Sequence, residues 1–170
     1  MAEIGVAYGD FSRKIIDSMN PCKFYAIDIF SSGPGEDFWG RTDWTDLNMG
    51  QKEFIERKFA NEIGKGKFIL KEGLSWDVLE TFDDNYFDYV YLDAAHDYDS
   101  VKKDIRVLLN KVKNNGIIQF NDYTLYDWAT NTPYGVIRAV DEMLVSDKHE
   151  IIFFCLQTGG FNDIVVKIKK

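Results

Sequence analysis

Apolar runs of strand length alternate with segments of helical periodicity along most of the chain. Short apolar runs bounded by turn residues are typical of buried strands, and apolar residues at i, i+3 and i+4 are typical of helices. The pattern predicts five strands, at residues 2–7, 24–29, 67–70, 87–92 and 117–120. It predicts helices at residues 11–19, 49–63, 76–82, 99–112 and 132–145. Pro133 falls in the first turn of the last helix, where proline is tolerated.

Two further apolar runs, residues 151–156 and 163–168, follow the last helix with no room for another helix between them. Gly159-Gly160 joins them, which predicts a hairpin whose last strand runs antiparallel to its neighbour. Five strand–helix repeats followed by a hairpin predict an α/β/α sandwich. Its sheet would have seven strands, which are mostly parallel and include one antiparallel strand.

Length and composition narrow the class of protein. The chain has 170 residues, which fits one domain spanning residues 1–170. Its formal net charge of −8 argues against a nucleic-acid partner, because binding a phosphate backbone calls for clustered lysine and arginine. No apolar run approaches the ~20 residues of a membrane span. Cys22 and Cys155 are far apart among apolar residues, so we interpret them as reduced core thiols of a cytoplasmic protein.

The strongest chemical signal stands where the fourth and fifth predicted strands end. Asp93 follows the fourth strand, with His96 three residues later, and Asn121 and Asp122 follow the fifth. Ligands bind at the carboxyl edge of the sheet in open α/β folds, so we expect these side chains to lie together. His96 is the predicted general base, with Asp93 beside it in the catalytic site, because histidine exchanges protons near neutral pH. The alternative is that His96 only hydrogen-bonds the loop.

Asp93, Asn121 and Asp122 also present the hard oxygen ligands that Mg²⁺ prefers. Two interpretations stay open for them. They hold Mg²⁺, or the two aspartates only orient the ammonium group of a cofactor and cap helices. Aromatic residues in nearby or long loops are candidates for the wall of a substrate pocket, with plain packing as the alternative: Tyr98, Tyr123, Tyr126, Trp39, Trp44 and Trp128.

The turn between the first strand and the first helix, residues 3–12, is a candidate cofactor loop. Gly5 and Gly9 allow backbone angles that other residues resist. The spacing is not G-x-G-x-x-G, so the loop would cradle a pyrophosphate poorly. Asp28 ends the second strand, where a carboxylate can accept both hydroxyls of a ribose. Residues 73–76 follow the third strand, where apolar and aromatic side chains can enclose a base.

With these motifs, the chain resembles class I S-adenosylmethionine (SAM)-dependent methyltransferases. Residues 3–9, Glu-Ile-Gly-Val-Ala-Tyr-Gly, resemble their first motif, although Ala7 stands where many relatives carry glycine. Residues 93–98 and 116–123 resemble the methyltransferase 24 type, which includes sugar O-methyltransferases. The resemblance implies a Rossmann-like sandwich with SAM as its cofactor. It implies these cofactor-binding residues: Glu3, Gly5, Gly9, Phe11, Ser12, Asp28, Gly73, Leu74, Ser75 and Asp93.

The resemblance implies methyl transfer to a hydroxyl of a small molecule such as a sugar, with metal assistance and a histidine base. Relatives usually carry helices ahead of the first strand, so we expect a single domain lacking them, with an open pocket that a second copy or a partner chain covers. Three alternatives remain. They are a methyltransferase acting on nitrogen, a non-catalytic SAM-binding module, and a nucleotide-dependent oxidoreductase, which the glycine spacing and the terminal hairpin disfavour.

Overall fold

The computed structural model describes residues 1–34, 36, 47–146 and 148–170. Trp39 and Trp44, two of the predicted pocket aromatics, lie outside these residues. The strands are β1 (Ala2–Ile4), β2 (Phe24–Asp28), β3 (Phe68–Glu72), β4 (Phe87–Leu92), β5 (Val112–Phe120), β6 (Tyr126–Asp127), β7 (Thr132–Pro133), β8 (Glu150–Cys155) and β9 (Asp163–Lys167). The helices are α1 (Asp10–Met19), α2 (Gln51–Lys58), α3 (Ala60–Gly64), α4 (Ser75–Glu80), α5 (Tyr98–Lys111) and α6 (Val136–Ser146).

Seven of these strands form one sheet in the order β3-β2-β1-β4-β5-β9-β8. β9 runs antiparallel to both of its neighbours, and the other pairs are parallel, which confirms the predicted fold class. Ile4 lies opposite Ile27 on one side and Leu92 on the other, and Leu92 lies opposite Phe120. The carboxyl ends of β1, β2, β4 and β5 are therefore level, and the residues after them meet at one edge.

Helices cover both faces of the sheet. On one face α1, α2 and α3 pack on β2, β3 and β4, where the Phe59 and Phe68 rings stack at 4.1 Å between centroids. On the other face α4, α5 and α6 bury Leu79, Leu108 and Val140 against the sheet. Strand order reverses between β1 and β4, the point where open α/β sheets bind ligands.

Four predicted elements differ from the structure by three residues or more, and one of them is the fifth strand, which begins at Val112 rather than at residue 117. The first strand ends at Ile4 rather than at residue 7, because Gly5 turns the chain with φ 83°. The helix predicted at residues 49–63 is divided at Phe59 into α2 and α3. The helix predicted at residues 132–145 begins only at Val136, because β7 pairs with β6 in a short antiparallel ribbon.

The surface corrects one further interpretation. Cys22 is exposed and Cys155 half-buried, and both thiols are free, so Cys22 is not a core residue. Cys22 lies outside the core because it follows α1 in the turn before β2.

The edge strand β8 exposes large apolar side chains, with Ile151 and Phe153 both more than half exposed. In the part of the chain that the structure describes, every helix is too short or too polar to cross a membrane.

Candidate active site

A cavity of about 320 Å³ opens at the carboxyl ends of β1, β2, β3 and β4, around the reversal of strand order. Small-molecule sites have volumes of about 300–1,000 Å³, so the cavity suits one ligand of modest size. Six of the ten predicted cofactor residues line it: Gly5, Asp28, Gly73, Leu74, Ser75 and Asp93. The structure therefore brings these six residues together at one cavity, and their contact with a cofactor stays a prediction.

Gly5 brings the loop after β1 against the loop after β4. Its φ is 83°, and a Cβ atom there would lie 1.8 Å from the carbonyl oxygen of Asp93. The backbone is also tied at this point, because the Gly5 N–H donates to the Ile27 oxygen and the Asp93 N–H donates to the Ile4 oxygen. Any side chain at residue 5 would push these loops apart, so glycine is required for the shape of the cavity.

The Asp28 carboxylate holds the glycine loop after β1 by hydrogen bonds to its backbone. Its Oδ2 accepts hydrogen bonds from the Val6 N–H at 2.7 Å and the Ala7 N–H at 3.3 Å, and its Oδ1 accepts one from the Phe30 N–H at 2.9 Å. These bonds hold Ala7 at φ 45°, a left-handed conformation that costs a non-glycine residue roughly 1–2 kcal/mol. A carboxylate oxygen has two lone pairs, so Oδ1 can still accept a ligand hydroxyl.

Gln51 is a member of the site that the sequence analysis missed. Its side chain is 3% exposed, and Nε2 lies 3.3 Å from both the Ala7 oxygen and Asp28 Oδ2, to which it donates. The available signal was an amide four residues before Ile55, on the apolar side of an amphipathic segment. A polar side chain at such a position needs a buried partner.

The other four predicted cofactor residues are not among the described residues that line the cavity. Glu3 is 1% exposed, accepts a hydrogen bond from the Ser12 hydroxyl, and has its pKa raised well above the ordinary value by burial. Phe11 packs on Tyr91 at 4.0 Å between ring centroids. Gly9 begins α1 against Phe59. These residues anchor α1 to the sheet beneath the loop.

His96 lies beside the cavity between two carboxylates. Its Nε2 is 3.5 Å from Asp93 Oδ1 and 3.5 Å from Asp122 Oδ2. The Tyr134 ring stacks on the imidazole at 4.5 Å between centroids and 8° between planes. The Gly135 N–H donates to the His96 oxygen at 2.7 Å, which fixes the backbone as well. The sequence analysis missed Tyr134, because residues 132–135 lay inside a predicted helix.

The two carboxylates hold protons more readily than surface aspartates do. Burial raises the pKa of Asp93, and the charge of His96 opposes this effect. Burial also raises the pKa of Asp122 to about 6, with His96 lowering it and Asp93 raising it further. The Nε2 atom of His96 therefore faces two carboxyl groups that burial makes easier to protonate.

Asn121 does not fit the predicted magnesium site. Its Nδ2 donates to Asp93 Oδ1 at 2.8 Å, and its Oδ1 accepts a hydrogen bond from the Tyr91 hydroxyl at 2.9 Å. The amide oxygen that would bind a cation is therefore turned to Tyr91, while His96 Nε2 faces the two carboxylates. Among the described residues, no three histidine, cysteine, aspartate or glutamate side chains form a group that could hold a metal ion.

The predicted pocket aromatics bond mostly to the surrounding structure. The Tyr98 hydroxyl donates to Glu142 on α6 at 2.7 Å, and the Tyr123 hydroxyl donates to Asp141 on the same helix. Trp128 is 81% exposed and packs on Tyr126, with 4.7 Å between ring centroids. Packing thus accounts for Tyr98 and Tyr123, while Trp128 remains free to contact a ligand.

A cavity at the switch point, a glycine turn after β1, an acid at the end of β2 and an antiparallel β9 together define a class I SAM-dependent methyltransferase fold. The chain belongs to the methyltransferase domain family of the methyltransferase 24 type, whose family model matches residues 2–123. It is therefore a SAM-dependent methyltransferase, and SAM is its cofactor. No curated protein sequence is similar enough to count as a match.

Solved structures share the fold at low identity. The O-methyltransferase NovP is 18% identical with a TM-score of 0.65, over 100% of this chain and 72% of NovP. An O-methyltransferase from Bacillus cereus, solved with S-adenosylhomocysteine (SAH), is 13% identical with a TM-score of 0.66, over 99% and 73%. An rRNA methylase from Streptococcus thermophilus is 9% identical with a TM-score of 0.64, over 99% and 86%. The fold alone therefore does not select the methyl acceptor.

Proposed function

We propose that the protein transfers the methyl group of SAM to a hydroxyl of a small molecule such as a sugar, and that His96 accepts the hydroxyl proton. The observation that carries this proposal is the position of His96 between Asp93 and Asp122, directly beside the cavity. Asp93, Ala94 and Ala95 line the cavity, and His96 follows them in the chain. The His96 side chain is 16% exposed, and an acceptor at the mouth of the cofactor site would approach it there.

Methyl transfer is an in-line displacement at the sulfonium methyl. The acceptor oxygen forms a bond to the methyl carbon while the bond from carbon to sulfur breaks, which leaves neutral SAH. Alignment of the two atoms supplies much of the rate. A hydroxyl of high pKa must also lose its proton, which calls for a base. His96 takes that proton, and Asp93 and Asp122 stabilise the imidazolium that results.

The cofactor would be held by the residues that line the cavity. Asp28 would accept one ribose hydroxyl with the remaining lone pair of Oδ1, and Leu74 and Trp76 would enclose the adenine. SAM supplies an activated methyl group when it is bound. Strand order sets the direction of the ligand, because β3 and β4 are three strand spacings apart, about 14 Å. The residues after β4, beside His96, would therefore hold the methyl-donating end of SAM, and the residues after β3 would hold its adenine.

Methyl transfer is expected to proceed without Mg²⁺, because Asn121 and His96 are not arranged around a cation. Asn121 turns its amide nitrogen to Asp93, and the imidazole occupies the space that faces both acids. The described side chains therefore favour proton transfer to His96 over a metal-held acceptor.

Methyl-labelled SAM, offered with small hydroxyl compounds and separately with protein and RNA, tests the proposal. We expect label on the oxygen of a small molecule, with the same rate in EDTA. Label on a nitrogen of a macromolecule would contradict the acceptor class. Activity that EDTA abolishes and Mg²⁺ restores would contradict the metal-free arrangement. SAH binding without transfer to any acceptor would favour a non-catalytic module.

A further inference from the structure

Asp104 is a buried acid that the proposed chemistry does not use. It lies in the middle of α5 and is 1% exposed. Neither carboxylate oxygen has a hydrogen-bond partner of ordinary geometry among the described residues. Burying an unpartnered carboxylate costs several kcal/mol, and such a group in a folded protein calls for an explanation.

The surroundings of Asp104 connect it to the cofactor cavity. α5 packs against the first turn of α4, where the Lys103 Nζ lies 4.6 Å from the centroid of the Trp76 ring. Burial raises the pKa of Asp104 to about 6, and the nearby Ser75 hydroxyl in the first turn of α4 opposes this rise. Ser75 is 9% exposed and lines the cavity together with Trp76. Ser75 therefore stands between the buried acid and the ligand.

Leu74 and Trp76, the neighbours of Ser75 in the chain, line the cavity together with Ile29, and they offer contact area but no side-chain acceptor for a hydrogen bond. The purine of SAM carries an exocyclic amino group, which is a hydrogen-bond donor. A serine hydroxyl can donate one bond and accept others, so its own proton decides which role it takes toward the ligand.

We infer that Asp104 is a positioning residue for the adenine amino group of SAM, acting through Ser75. With the cofactor bound, the carboxylate accepts a hydrogen bond from the Ser75 hydroxyl, which leaves the Ser75 oxygen to accept a hydrogen bond from the amino group. The buried acid thus selects an amino purine over one with an oxygen at the same position. The inference rests on the cofactor assignment of the cavity, and it is independent of the methyl acceptor and of His96.

The test compares two ligands, SAH and S-inosylhomocysteine, in which an oxygen replaces the amino group. We expect the wild-type protein to bind SAH at least about tenfold more tightly, because the oxygen would face the Ser75 oxygen. Asp104→Leu and Ser75→Ala should each weaken SAH about five- to tenfold and remove most of the preference. Asp104→Asn should keep the preference for SAH, since its amide oxygen can accept the same hydrogen bond from the Ser75 hydroxyl. Asp99→Asn, at an exposed acid of α5, is the control.

The outcomes separate this role from a structural one. If Asp104→Leu and Ser75→Ala keep the wild-type preference for SAH, the inference is wrong. If Asp104→Leu does not fold, the ligand preference of Ser75→Ala is the test. Loss of the preference for SAH supports the inference, and a preference equal to that of the wild-type protein contradicts it. Failure of the wild-type protein to bind SAH would overturn the cofactor assignment itself. Equal binding of both ligands by the wild-type protein would overturn only the role of Asp104.

Discussion

The cofactor cavity and the His96 centre share Asp93 but are built in different ways. The cavity depends on backbone: Gly5 lets two loops meet, and Asp28 holds the amides of the glycine loop. The His96 centre depends on side chains from separate segments, with Asp122 after β5 and Tyr134 after β7. Substitutions should therefore break the two regions independently, the first through folding and cofactor affinity and the second through turnover.

The largest effect is expected at Gly5, because a Cβ atom there would meet the Asp93 backbone at 1.8 Å. Gly5→Ala should lower the free energy of unfolding by about 3–5 kcal/mol and abolish SAH binding. Gly66→Ala is the matched control. Gly66 also has a positive φ, of 66°, but a Cβ atom there would have no described atom within 4 Å, so we expect a loss of only about 1 kcal/mol. Denaturant unfolding of both variants checks the difference, and equal losses would contradict the close approach.

The next effect concerns Asp104, the buried acid of α5, and the pH dependence of the free energy of unfolding. The folded-state pKa of Asp104 is about 6, above its unfolded value, so the ionised group destabilises the fold above pH 6. This penalty disappears as the pH falls through 6 toward 4. Asp104→Asn should therefore raise the free energy of unfolding by about 3 kcal/mol at pH 7.5 and by much less at pH 4.5. Unfolding curves at the two pH values measure this, and a gain that does not change with pH would refute it.

A smaller effect is expected from substitution of Tyr134, which should lower turnover without changing cofactor affinity. Tyr134 stacks on His96 and is not among the described residues that line the cofactor cavity. Tyr134→Ala should lower kcat about tenfold and leave SAH affinity unchanged, because the imidazole loses the ring that orients it. Tyr134→Phe keeps the ring and should restore most of kcat. Parallel losses of SAH affinity and stability in Tyr134→Ala would mean that Tyr134 is structural only.

The same contrast explains what the sequence could predict. The strands of a sheet buried on both faces appear as apolar runs, so the seven strands of the main sheet, their order along the chain and the hairpin were predicted correctly. The lining of the cavity could also be predicted from the sequence, because Gly5, Asp28 and residues 73–75 directly follow or end strands. The orientation of Asn121 was not, since it depends on Tyr91 in the neighbouring strand. Tyr134 was missed because the pairing of β6 with β7 overrides the helical pattern around it.

The most direct measurement compares His96→Gln with wild-type protein for turnover and for SAH affinity. His149→Gln, at the other histidine of the chain, is the control. If His96 accepts the hydroxyl proton, His96→Gln should lower kcat at least about a hundredfold while the Kd for SAH stays within about twofold. The control should match wild-type protein in both. Wild-type turnover in His96→Gln would contradict the role of His96 as the base.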